Sequence, residues 1–135
     1  MHFSLFKQQE GFNNGLKKDF GVLASRVVAM PEHLNPMGCV FGGALFSWMD
    51  LAGAVLVRKY AKHMVSVAAQ NVEFLAPAYS GDVLSFYAKE IQLGNSSMSV
   101  ELSAFASREE EILIAKALLV YVAVNDKGEK ILLDK

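Results

Sequence analysis

Apolar positions fall into two regimes along this chain. From Gly43 to Lys62 they crowd every turn of a helical reading, with Ser47 and Asp50 as interruptions. Arg58, Lys59 and Lys62 close that segment, where cations suit the negative end of a helix dipole. Beyond it the period drops to two. In "SMSVELSAFA" (97–106), Met98, Val100, Leu102, Ala104 and Ala106 alternate with Ser99, Glu101, Ser103 and Phe105, which predicts a strand. "VLSFYAKEIQL" (83–93) and "ILIAKALLVYVAV" (112–124) predict strands on either side, set off by turns at Gly94–Ser96 and Arg108–Glu111. "MVSVAAQNVEFLAPA" (64–78) reads as a strand whose apolar phase switches near Gln70–Asn71, the mark of a bulge. Upstream, "FGVLASRVVAM" (20–30) reads as a strand stopped by Pro31. Residues 31–41 form a loop with two prolines and a glycine, and residues 1–19 are polar and weakly patterned, an arm or short helix.

Five strands and one long helix result. Strands two to five are joined by short turns, so an antiparallel meander is expected. A helix that is hydrophobic all round must be surrounded. A curved sheet wrapped about it would cover most of it and a second subunit the rest. The expectation is a single α+β domain over 20–135, following the arm at 1–19, in an obligate oligomer.

Composition narrows the field. The chain has 135 residues, room for one domain, with 53% apolar and 20% charged residues, so a packed core is expected. Net charge is −1 and the isoelectric point about 6.3, which offers no basic field to nucleic acid or an anionic membrane. The single cysteine, Cys39, allows neither an intrachain disulfide nor a thiolate metal cluster. The first residues lack a signal-peptide apolar region, so the cytoplasm is expected. Val40–Val57 approaches the length of a membrane span, but Gly42, Gly43, Gly53 and the central Asp50 argue against one.

Candidate chemistry sits at the loop and the helix. A carboxylate in an apolar helix can act as a general base; Asp50 could equally bond a buried backbone group or pair with a core cation. Gly42 and Gly43 could open the helix so that a ligand meets its unpaired N–H groups, which stabilise an oxyanion, or could serve only close helix–sheet packing. Asn35 could orient a water, polarise a carbonyl, or simply make the turn before Pro36.

"VAMPEHLNPMGCVFGGALFSWMDLAGA", with "VEFLAPAYSGDVLSFYA" and "GNSSMSVEL", resembles the hotdog-fold acyl-CoA thioesterases, and among them the bacterial YciA-like group. The resemblance spans about residues 22–125, and its N-x-x-G-x-x-F-G-G…D pattern is its most specific part. It implies a five-stranded antiparallel curved sheet around one long central helix, and hydrolysis of an acyl-CoA to a carboxylic acid and free CoA. It further implies that Asp50 activates water or attacks the thioester. Asn35 then faces it from the other subunit of a dimer, and the Gly42 N–H serves as oxyanion donor. Two positions depart from that group's pattern: Met37 replaces a second asparagine, and Ala76 an arginine suited to a CoA phosphate. Arg58, Lys59, Lys62 or Lys89 could meet the phosphates instead.

On this reading the pantetheine arm runs along Phe74, Leu75 and Ala76 and the turn Gly94, Asn95, Ser96 and Ser97, and Gly43 also contacts the substrate. Phe46, Trp48 and Met49 line the acyl pocket. No metal and no cofactor are needed; coenzyme A enters as part of the substrate. The expected partners are the acyl-CoA and further copies of the chain, as a dimer and conceivably a tetramer or hexamer. One rival is a non-catalytic acyl-CoA binding or sensing module on the same fold. Another is a Cys39 nucleophile served by His33 or His63, its thiol acidified beside a helix N-terminus.

Overall fold

The computed structural model describes residues 16–17 and 19–133. Strands β1 (Leu16–Lys17) and β2 (Gly21–Val28) are followed by helix α1 (Gly42–Val57). Then come β3 (Met64–Phe74), β4 (Val83–Leu93), β5 (Ser97–Ser107) and β6 (Glu111–Ala123). All pairings are antiparallel, in the order β1-β2-β4-β5-β6-β3. The five expected long strands and the single long helix are present, with β1 as a two-residue addition. The arm or short helix expected over residues 1–19 lies mostly outside the described residues; Leu16–Lys17 are strand.

The meander holds for β4, β5 and β6 but not for β3, which pairs with β6 at the far edge. The reason is geometric. Four strand spacings separate β2 from β3, roughly 19 Å, and a 16-residue helix spans roughly 24 Å. The helix therefore carries the chain across the whole sheet, and β3 starts where β4 cannot reach it. Residues 75–82 bring the chain back, tied by Val40 N–H to Ala78 O (2.8 Å) and Gly81 N–H to Ala29 O (2.7 Å).

The helix stops at Val57, before the expected Lys62. Ala44, Leu45, Met49, Ala52, Gly53 and Val57 face inward onto the sheet. They meet Leu84, Phe86, Val100, Leu102 and Leu119 among others, all fully or almost fully buried. Ser47 settles its hydroxyl on Ala44 O at 2.7 Å, which makes a polar interruption tolerable inside an apolar helix. The bulge expected near Gln70–Asn71 is present: the β3–β6 register shifts between Gln70 and Glu73, and Asn71 has φ of 53°.

Candidate active site

Asp50 lies in the middle of α1, half-buried. Two side chains from the sheet approach its carboxylate. The Tyr121 hydroxyl lies 3.1 Å from Oδ1 and 2.8 Å from the Asp50 backbone oxygen, and Ser66 Oγ lies 3.5 Å from Oδ2. Register explains the arrangement, because Ser66 on β3 is the direct cross-strand partner of Tyr121 on β6. Gly53 admits the phenol: a Cβ there would stand 2.1 Å from the Tyr121 oxygen. Burial, then the Asp50 charge, then the hydrogen bond to it hold the Tyr121 phenol well above the ordinary tyrosine pKa.

Gly42 is the first residue of α1, and no side chain caps the helix. Its N–H belongs to the group of first-turn donors that an α-helix leaves without internal partners. It lines an open cleft of about 410 Å³ with Cys39, Leu45, Phe74, Leu75 and Ala76 among the walls. The Phe74 ring lies over the glycine, 3.3 Å from where a Cβ would be. Leu75 and Ala76 both direct their N–H groups to Ile114 O, so what they offer a ligand is apolar surface and space.

Asn35 builds the loop in front of the helix. Its Oδ1 accepts from Met37 N–H (2.9 Å) and Cys39 N–H (3.2 Å), which leaves the NH₂ end as the part free to donate to a ligand. Within one protomer no hydrogen bond joins Asn35 to Asp50.

The structure thus gathers Gly42, Phe74, Leu75 and Ala76 at one cleft. It does not gather the rest there. Gly43 stands against the Phe41 ring, outside the cleft lining. The turn Gly94, Asn95, Ser96 and Ser97 lies at the opposite end of the sheet. Ser97 is in register with Val122 and Val65, and Phe74 is about 30 Å further along β3. The carbonyls of Asn95 and Ser96 already accept from Leu133 and Ala123 N–H. Phe46, Trp48 and Met49 do not line the cleft either: Met49 is fully buried, and Trp48 packs edge-on to His33 and against Phe86. Arg58, Lys59 and Lys62 follow the far end of the helix.

Among the described residues, the hydrogen bonds of His33 and His63 go to groups other than Cys39. His33 accepts the Met30 N–H at Nδ1, and His63 pairs with Asp126 at 2.9 Å. The sequence reading gives Tyr121 and Ser66 no role, and Gly53 enters it only as an argument against a membrane span. The available signal was a phenol inside an apolar strand, a group that takes a partner when buried, together with a glycine three residues after the aspartate. Among the described residues no three His, Cys, Asp or Glu side chains cluster as a metal site, and no helix is long and apolar enough to cross a membrane.

A sheet wrapped around one central helix, with a carboxylate at mid-helix and open N–H groups at the helix start, defines a hotdog-fold thioesterase. Residues 37–113 match the family model of the thioesterase superfamily, and the chain belongs to that superfamily. The acyl-CoA thioester hydrolase YciA of Escherichia coli strain K12 is 34% identical over 116 residues, 81% of this chain and 88% of that protein. The hexameric thioesterase y2039 of Yersinia pestis superposes with a TM-score of 0.83 at 34% identity, over 85% of this chain and 97% of the other. Cj0915, a hexameric hotdog-fold thioesterase of Campylobacter jejuni, gives 0.81 at 35% identity, over 86% and 92%.

Proposed function

We propose that this chain hydrolyses acyl-CoA thioesters, with Asp50 of one protomer and Gly42 and Asn35 of another acting on the same carbonyl. The observation that carries the reading is the position of Asp50: a half-exposed carboxylate on an otherwise apolar helix, in a chain of this superfamily. Asp50 and Gly42 are eight residues apart on α1, about 12 Å along its axis. An oxyanion donor and a base must both come within about 3 Å of the reacting group. One copy of the helix therefore cannot supply both, whereas two copies side by side can.

The surface favours such a pairing. Leu51 and Val55, one helical turn apart on α1, are 63% and 59% exposed, and among the described residues β3 is an edge strand with Val65, Val67 and Phe74 exposed. Apolar surface of this kind on an edge strand and the adjacent helix invites a second copy. Two of the relatives named above are hexameric, and self-association of this chain is proposed on that footing.

In the reaction, a water proton goes to Asp50 as the water oxygen bonds the thioester carbon. The carbonyl oxygen gathers charge against the Gly42 N–H, and the Asn35 NH₂ group orients the water or the carbonyl. The C–S bond then breaks, and the thiolate takes up the proton to leave as the CoA thiol. On the alternative route the Asp50 carboxylate bonds the thioester carbon, the thiolate leaves, and water then hydrolyses the mixed anhydride, its proton passing to the thiolate. No cofactor enters these steps. The cleft at Gly42 takes the end of the pantetheine arm next to the thioester.

The test is thiol release from a panel of acyl-CoAs, acetyl to palmitoyl plus benzoyl, by the parent protein and by Asp50→Asn. Hydrolysis by the parent alone supports the proposal. Equal hydrolysis by the variant overturns the role of Asp50. No hydrolysis, with acyl-CoA still raising the melting temperature, points to a binding module instead.

A further inference from the structure

Asp50 carries two oxygens in unlike surroundings. Oδ1 faces the Tyr121 hydroxyl at 3.1 Å, while among the described residues Oδ2 has only the long 3.5 Å approach of Ser66. Tyr121 itself is 1% exposed, fixed among core side chains on β6. Its oxygen can stand where it does only because residue 53 has no side chain. A buried phenol would be satisfied by the Asp50 backbone oxygen alone, 2.8 Å away. The carboxylate in the same reach is a second acceptor for one proton.

We propose that Tyr121 is a positioning residue: its hydroxyl fixes the Asp50 carboxylate by Oδ1 and leaves Oδ2 to face the substrate, and Gly53 is the clearance that permits it. This deepens the proposed function and rests on it. The arrangement suits both protonation states of Asp50. While the carboxylate is charged, the phenol proton is shared between Oδ1 and the backbone oxygen. When Oδ2 takes a proton from water, the carboxyl becomes neutral and its pull on the phenol weakens. The phenol proton then settles on the backbone oxygen, with no movement of the ring. When Oδ2 returns the proton to the leaving thiolate, the shared bond re-forms. The same anchoring serves direct attack, in which Oδ2 bonds the acyl carbon.

Tyr121→Phe keeps the ring and removes only the hydroxyl. The expected result is a kcat reduced about tenfold or more, with KM within twofold of the parent. Leu119→Val, in the same strand and core but with no polar group to offer Asp50, is the control for a purely structural effect. It should lower the melting temperature while leaving kcat within twofold. Gly53→Ala, which crowds the phenol from the helix side, should reproduce the kcat loss by an independent route. The inference is overturned if Tyr121→Phe retains kcat within twofold, or if Leu119→Val loses as much. If Asp50→Asn is inactive while Tyr121→Phe is fully active, positioning alone fails. If Asp50→Asn is as active as the parent, the proposed role of Asp50 fails and positioning fails with it.

Discussion

Asp82 shows how a single turn residue can hold three segments together. Its Oδ2 accepts from Tyr79 N–H at 2.8 Å and from Arg108 at 2.9–3.0 Å, and Arg108 also reaches Pro77 O and lies over the Tyr79 ring. This group braces the loop behind the cleft. Asp82→Ala leaves the Tyr79 N–H and the Arg108 guanidinium short of a partner, so a loss of about 1 kcal/mol is expected in urea denaturation. Gly42 offers a sharper test. Proline at the first helical position keeps the helix and removes one N–H, and Phe41 already has the extended conformation that proline demands of its predecessor. Gly42→Pro should therefore lower kcat by about a hundredfold with little change in melting temperature. Tyr121 supplies a pH signature. Its raised pKa means that the unfolded phenol ionises near pH 10 while the folded one stays neutral. The stabilisation is complete below about pH 10 and is lost as pH rises above it. The stability difference between parent and Tyr121→Phe should narrow between pH 8 and pH 11 in denaturant titrations. At this scale Asp50 stands out in the sequence as a charge in an apolar run. Asn35 and Gly42, ordinary residues for a loop and a helix start, become specific candidates only through the family resemblance. Tyr121 and Ser66 do neither, since nothing local marks a strand residue as the neighbour of a helix carboxylate.

Among the elements, α1 and β3 behave alike. Each is apolar beyond what one protomer covers: Leu51 and Val55 on the helix, Val65 and Val67 on the strand. Replacing Leu51 and Val55 together by lysine leaves the inward face of α1 untouched. The expected outcome in sedimentation is smaller species with unchanged helix content by circular dichroism, and thioesterase activity should fall with assembly. Element identities were legible because alternation in β5 and continuous apolarity in α1 are local patterns. The partner of β3 was not. Short connections suggested β4, and the span of the helix made it β6.

At the scale of the whole molecule, the 12 Å between Gly42 and Asp50 along α1 leads to a prediction about mixtures. Asp50→Asn and Gly42→Pro each disable half of every site. In a two-fold pair, one of the two sites in a mixed dimer keeps both native groups. Refolding the two inactive variants together at equal amounts should restore about a quarter of parent activity, because half the dimers are mixed and each has one intact site. A mixture that stays inactive would mean that both groups act within one chain.

The sequence by itself determined the kinds of elements, the inward face of β5, the bulge at Gln70–Asn71 and the types of groups available for chemistry. These depend on the order of residues over short stretches, where backbone preference and side-chain period act directly. Tertiary structure decided which groups meet. It put Phe74 over Gly42, sent the Gly94–Ser97 turn to the other end of the sheet, and brought Tyr121 through the gap at Gly53 to Asp50. Such contacts depend on where a helix of fixed rise crosses strands of fixed spacing, a relation between distant parts of the chain that no local pattern contains.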